Sequence, residues 1–175
     1  VVLHSTIEPR TVTRVAEAAA AKGVEVIDAP VSGSEPGARN KTMSYMVGGS
    51  AAAFEKVKPL FQTSGQNILH TGALGTGIRA KIAHQLITCV NMMAAAEGMR
   101  LGLAAGLSPE LLEKVMHAGA AQSRFADNWS RIHLKPHAVP VFYKDLKVVL
   151  ALARELGVSV PGAALCQQLL DDVVP

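Results

Sequence analysis

Val24-Glu25-Val26-Ile27-Asp28-Ala29-Pro30-Val31-Ser32-Gly33-Ser34 reads as a strand running into a turn of small residues. Val24 to Asp28 carry the β-branched, largely apolar pattern of a strand, and Pro30, with no N–H to give a ladder, ends it. Upstream, Val1-Val2-Leu3 is a short apolar run. Glu8-Pro9 then opens a helical stretch, Arg10 to Lys22, which Gly23 closes in the C′ position. Downstream, Thr42-Met43-Ser44-Tyr45-Met46-Val47 is a second strand stopped by Gly48-Gly49. Ser50 is placed to cap a helix over Ala51 to Phe61, and Asn67-Ile68-Leu69-His70 is a last strand. Strand, helix, strand, strand, helix, strand is α/β grammar.

From Thr76 onward the period changes. Ile78 to Ala105 is one helical pattern, about 40 Å long at 1.5 Å per residue. Gly106 ends it, and Ser108-Pro109-Glu110 restarts a helix with a cap, a proline and an early acid. Further helices are predicted over Ser123 to Ile132, Tyr143 to Leu156 and Gly162 to Asp172, with Lys135 to Pro140 as a loop. The boundary falls in the glycine-rich stretch Gly72 to Gly77, giving domains of 1–73 and 74–175.

Composition narrows the function classes. The 175 residues hold 17 Lys+Arg against 14 Asp+Glu, a net charge of +3. The basic residues are scattered, so no stripe tracks a nucleic-acid backbone. Two distant cysteines exclude a disulfide scaffold and a paired-cysteine zinc site, and they place the chain in a reducing compartment, the cytoplasm. The apolar uncharged stretch Ile82 to Ala96 is too short and too polar for a membrane span. No metal is expected: Pro136 interrupts the helix that a His133/His137 pair would need.

Four places can carry chemistry. Beyond the first strand quoted, Ser32, Gly33 and Ser34 can present backbone N–H groups to a carboxylate, since small side chains let an anion approach; an ordinary surface turn has the same composition. At the start of the long helix, Gly75-Thr76-Gly77-Ile78-Arg79-Ala80-Lys81 permits a tight entry. Lys81, His84, Gln85 and Thr88 then share one helix face, either a wet cleft holding a proton-transfer lysine or a solvated surface. Lys144-Asp145 opens a late helix, where the acid complements the helix dipole and the lysine does not. Thr6 follows the first apolar run, where a turn or cap role also suits it. Gly98, Gly102 and Gly106 repeat every four residues and point to a helix or subunit contact; Cys89 and Cys166 read as buried thiols.

Taken in order, Asp28-Ala29-Pro30-Val31-Ser32-Gly33, Gly37-Ala38, Thr42-Met43 and Met46-Val47-Gly48-Gly49 resemble the signature stretch of the β-hydroxyacid dehydrogenases, which include 3-hydroxyisobutyrate dehydrogenase and 2-hydroxy-3-oxopropionate reductase. Ser5-Thr6-Ile7, Gly75-x-Gly77-x-x-x-Lys81 and Lys144-Asp145-Leu146 resemble three further family motifs. The resemblance implies an α/β fold: the C-terminal part of a Rossmann-like dinucleotide domain, then an all-α substrate and dimerisation domain of the 6-phosphogluconate dehydrogenase type. It implies NAD or NADP as cofactor, a small anionic hydroxyacid as substrate, and a homodimer or homotetramer. By position, Lys81 is the general acid/base, and Ser32, Gly33, Ser34, His84 and Asp145 bind substrate. Thr6 and Lys144 contact the cofactor.

The chain departs from the family pattern at several points. Ser34 replaces a usual glycine, His84 a usual asparagine, and His137 a frequent phenylalanine. No Gly-x-Gly-x-x-Gly turn follows a strand, so the chain is expected to be the C-terminal portion of a longer enzyme. The runner-up is a non-catalytic helical dimerisation fragment. A decarboxylating sugar-phosphate dehydrogenase relative ranks below it, for want of an arginine cluster.

Overall fold

In a computed structural model, residues 1–131 and 138–173 are described, and they form two compact units, Val1–His84 and the residues from Gln85 onward. His133, His137 and the first half of the expected Lys135–Pro140 loop lie outside the described residues; its second half, from Ala138, is helical.

The first unit is α/β. It contains β1 (Val2–Leu3), α1 (Pro9–Ala20), β2 (Ile27–Asp28), β3 (Val31–Ser32), α2 (Ser34–Arg39), β4 (Met43–Gly48), α3 (Ala51–Phe61), β5 (Gly65–Gly72) and the start of α4 (Thr76–Ala104). The expected series of strands and helices is present, with β3 and α2 added between the second and third expected strands. β1 lies parallel to β2, while β4 runs antiparallel to β2 and β3 and parallel to β5. Alternation along β4 sends Met43, Tyr45 and Val47 into one core with Ile27, Ala29, Ala53, Phe54 and Phe61. There the Tyr45 and Phe61 rings stack with centroids 4.6 Å apart. Ser50 caps α3 as expected, its hydroxyl accepting the Ala53 N–H at 3.1 Å.

The second unit, described by itself, is helical: the remainder of α4, then α5 (Pro109–Ala118), a 3-10 segment (Ala126–Arg131), α6 (Ala138–Leu156), α7 (Pro161–Gln168) and α8 (Leu170–Val173). Cys89, Met92, Ala96 and Met99 recur at helical spacing on the buried side of α4. The Cys166 thiol donates to the Cys89 carbonyl at 3.3 Å, and burial pushes it above the ordinary thiol range. Of the glycine repeat, Gly102 lets α5 pack: a Cβ there would come within 2.5 Å of Leu112. Gly106 (φ 86°) ends α4 in the left-handed region.

In the first unit, the strand expected over Val24–Asp28 is only Ile27–Asp28; in the second, three helices differ from expectation. The helix expected from Ser123 is a 3-10 segment kinked at Asn128, because polar side chains bond the local backbone: Ser123 Oγ accepts the Ala126 N–H, and Asn128 Nδ2 donates to the Arg124 carbonyl. α6 starts before Tyr143, with Pro140 in its first turn, where a missing N–H breaks no helical bond. The last helix divides into α7 and α8 at Leu169. No helix among the described residues is long and apolar enough to cross a membrane.

Glu113 on α5 ties the 3-10 segment down by accepting the Ser130 N–H at 2.6 Å and its hydroxyl at 2.8 Å. Those bonds favour the carboxylate and hold its pKa below the ordinary value. The native state therefore binds this proton less readily than the unfolded chain. Its contribution is complete above the unfolded carboxylate pKa and is lost as pH falls through the folded one. Amide exchange at Ser130 is expected to quicken as pH falls through that range, after correction for intrinsic exchange, and Glu113→Gln is expected to remove most of that dependence.

Candidate active site

The small-residue turn sits where β3 passes into α2. Ser32 ends β3 half-buried, Gly33 (φ 132°) precedes α2, and Ser34 (φ 55°) begins it in the left-handed region. A Cβ on Gly33 would meet Met43 Sδ at 2.9 Å, so glycine is required there by space as well as by φ. Ser34 is exposed and occupies a conformation that costs a non-glycine residue roughly 1–2 kcal/mol. Glycine is freer in the unfolded chain and gives back part of that gain. Ser34→Gly is thus expected to stabilise the chain by about 0.5–1 kcal/mol, read as a higher urea midpoint at constant slope.

Asp28 ends β2 and, in sequence, is legible only as part of the Asp28–Gly33 motif. It is 1% exposed and accepts two backbone N–H bonds from the start of α4, Gly75 to Oδ1 and Ile78 to Oδ2, both at 2.6 Å. This is an N-cap supplied from another strand, a carboxylate at the positive end of the helix dipole. Its slot exists because two neighbours lack side chains. A Cβ on Gly48 would lie 2.5 Å from Asp28 Oδ1, and one on Gly77 would lie 2.3 Å from the Met46 carbonyl.

One turn past Ile78 stands Lys81, 7% exposed, and one turn further His84, whose Nε2 lies 3.4 Å from Ser32 Oγ. Burial of Lys81 and Gln85 decides between the two readings of the polar stripe: this is not a solvated helix face. The structure thus brings Ser32 and His84 together within the first unit. Thr6 stands half-buried beyond β1, and His4 Nδ1 bonds the Ala29 carbonyl at 2.7 Å, fixing the chain just before it.

In the second unit Asp145 is 2% exposed. Its Oδ2 accepts from Gln85 Nε2 at 2.6 Å, and its Oδ1 lies 2.5 Å from the half-exposed Lys144 ammonium. Buried charge needs such partners. Gln85 was visible in the sequence only as part of the stripe; its pairing with Asp145, 60 residues away, left no local signal.

Residues 75–174 match the family model described as NAD-binding of NADP-dependent 3-hydroxyisobutyrate dehydrogenase, and residues 1–72 the NAD binding domain of 6-phosphogluconate dehydrogenase. The chain belongs to the β-hydroxyacid dehydrogenase family. Among family relatives, the 2-hydroxy-3-oxopropionate reductase of Escherichia coli is 37% identical over 172 residues, covering 95% of this chain and 59% of the relative. The 3-hydroxyisobutyrate dehydrogenase of Pseudomonas aeruginosa is 37% identical over 177 residues, covering 94% and 59%. The crystal structure of 3-hydroxyisobutyrate dehydrogenase from Salmonella typhimurium superposes with a TM-score of 0.86 at 30% identity, covering 98% of this chain and 62% of that one. This β-hydroxyacid dehydrogenase chain therefore spans 59% of the length of each of these two curated relatives.

Proposed function

We propose that the chain serves an NAD- or NADP-dependent oxidoreductase that moves a hydride between the nicotinamide and a small β-hydroxyacid, with Lys81 as general acid/base. The observation that carries this reading is a lysine buried to 7% exposure on the helix whose start is held by the strand end leading into the Ser32–Gly33 turn. The two family models, which meet between residues 72 and 75, support domains of 1–73 and 74–175.

The residues present fit the nicotinamide end of a dinucleotide. Thr6 offers a half-buried hydroxyl beyond the carboxyl end of β1, where α/β sheets gather ligands. Lys144 offers an ammonium whose charge Asp145 already balances, which suits a neutral carboxamide or ribose hydroxyl better than a bare phosphate. When bound, the oxidised nicotinamide supplies the hydride acceptor. In this reading Ser32, Gly33 and Ser34 hold the substrate carboxylate, and His84 adds a hydrogen bond beside Ser32. Lys81 Nζ, as the neutral amine, takes the hydroxyl proton while the carbinol C–H bond breaks, leaving a carbonyl and an ammonium. In the reductive direction the ammonium returns that proton to the oxygen. Asp145, held by Gln85 and Lys144, is the residue of the second unit assigned to the substrate.

Exposed Leu101, Leu107, Leu111 and Val115 support a homodimer or homotetramer. Cys89 and Cys166, both buried and neither in a disulfide, support a reducing compartment, the cytoplasm. The test is turnover by the full-length gene product of 3-hydroxyisobutyrate, L-serine and 2-(hydroxymethyl)glutarate with NAD or NADP, and of 2-hydroxy-3-oxopropionate with the reduced cofactor. Formation or consumption of reduced nicotinamide with at least one of these is expected. None with any of them, by a folded protein that binds the cofactor, defeats the reading.

A further inference from the structure

Asp28, the turn at Ser32 and the helix bearing Lys81 close a circuit within the first unit. From Asp28 the chain runs through Ala29, the ring-constrained Pro30 and Val31 to Ser32. Ser32 Oγ meets His84 Nε2 at 3.4 Å; one turn back along α4 is Lys81, and one turn further back Ile78, whose N–H returns to Asp28 Oδ2 at 2.6 Å. The Gly75 N–H bonds the other oxygen of the same carboxylate at 2.6 Å, so the helix start is gripped at two points and cannot rotate about one bond. The slot is closed to any larger group by Gly48 and Gly77, since a Cβ at either would collide within 3 Å of Asp28 or Met46.

We infer that Asp28 is a positioning residue for the hydride-transfer reaction: its buried carboxylate sets the register of Lys81 against the Ser32–Gly33 carboxylate anchor. This rests on the reading of Lys81 as general acid/base. Two bonds would hold a helix end equally well without any functional register, but Asp28 stands only four residues from the anchor and, through Ile78, one turn from the lysine. Loosening it shifts the proton-transfer group and leaves the anchor's own chemistry intact. That is a defect in the transition state rather than in ground-state binding.

The test compares Asp28→Asn, Gly75→Ala and Lys81→Ala in the full-length gene product, using whichever of 3-hydroxyisobutyrate, L-serine and 2-(hydroxymethyl)glutarate it oxidises. Rates are normalised to folded, cofactor-binding protein. Asparagine keeps one acceptor oxygen, so Asp28→Asn is expected to lower kcat about 10- to 100-fold with KM within about threefold, and to displace the limb of the pH–kcat profile that Lys81→Ala abolishes. The Lys81 Cε signal, read by NMR with 13C-lysine in the absence of substrate, is expected to move in Asp28→Asn. A folded Asp28→Asn protein with wild-type kcat, pH profile and Lys81 signal overturns the inference. If that variant does not fold, Gly75→Ala decides, because alanine at φ 86° displaces one of the two donors and leaves the carboxylate in place. The same pattern with a smaller drop is expected; wild-type behaviour overturns the inference. Full turnover in Lys81→Ala removes the general acid/base reading itself, whereas an inactive Lys81→Ala beside an unaffected Asp28→Asn removes only the role of Asp28.

Discussion

Lys81→Ala in the full-length gene product is expected to lower kcat/KM for its β-hydroxyacid by about 10²- to 10⁴-fold, the usual worth of a positioned acid/base group. That is about 3–5 kcal/mol of transition-state stabilisation. Affinity for NAD or NADP should stay within about threefold, since the proposed role is at the reacting oxygen and not at the cofactor. Steady-state kinetics with cofactor titration on the same samples checks both expectations. A variant that lost cofactor binding along with turnover would assign Lys81 a structural or cofactor role instead.

Asp28→Ala is expected to be the most destabilising single change in the first unit, by about 3–5 kcal/mol. The change strands the N–H groups of Gly75 and Ile78 in a buried place, each of which had a charged acceptor at 2.6 Å. It also removes negative charge from the positive end of a 29-residue helix. Water cannot readily replace the carboxylate, because the surrounding chain is already close enough for Gly48 and Gly77 to tolerate no Cβ. Set against a typical domain stability of about 5–15 kcal/mol, the loss should be plain in urea denaturation followed by circular dichroism. A loss below about 1 kcal/mol would mean that these two bonds are made to a site open enough for solvent to substitute.

The parts of the fold legible from sequence were those that end in glycine or begin with a capping hydroxyl. α1, α4 and α6 are followed by Gly23, Gly106 and Gly157, all at positive φ, and α3 and α5 begin at Ser50 and Ser108, whose hydroxyls accept the N–H of Ala53 and Leu111. α2 escaped because its two special positions carry the wrong residues for the rule. Ser34 (φ 55°) opens it and Lys41 (φ 58°) closes it, with the Thr42 N–H returning to the Gly37 carbonyl at 2.8 Å. β3, only Val31–Ser32, exists because β4 lies beside it, and no two-residue period announces itself.

The candidate site was legible as residue types at spacings along one helix and in one turn. What sequence withheld was pairing across distance. Asp28 with Gly75 and Ile78, Ser32 with His84, and Gln85 with Asp145 are separated by 47 to 60 residues, and each pair is made by topology rather than by local pattern. Burial was withheld as well: a lysine and a glutamine on an alanine-rich helix suit a solvated face as well as a cleft, and only the fold shows Lys81 and Gln85 to be nearly inaccessible.

In the proposed reaction a hydride leaves the substrate carbon and Lys81 handles the proton separately. The most direct measurement supplies the full-length gene product with a β-hydroxyacid it oxidises, deuterated at the carbinol carbon, and locates the label. Deuterium is expected on the reduced nicotinamide in both wild type and Lys81→Ala, transferred far more slowly in the variant. Deuterium released to water, with none on the nicotinamide, would contradict the proposed reaction.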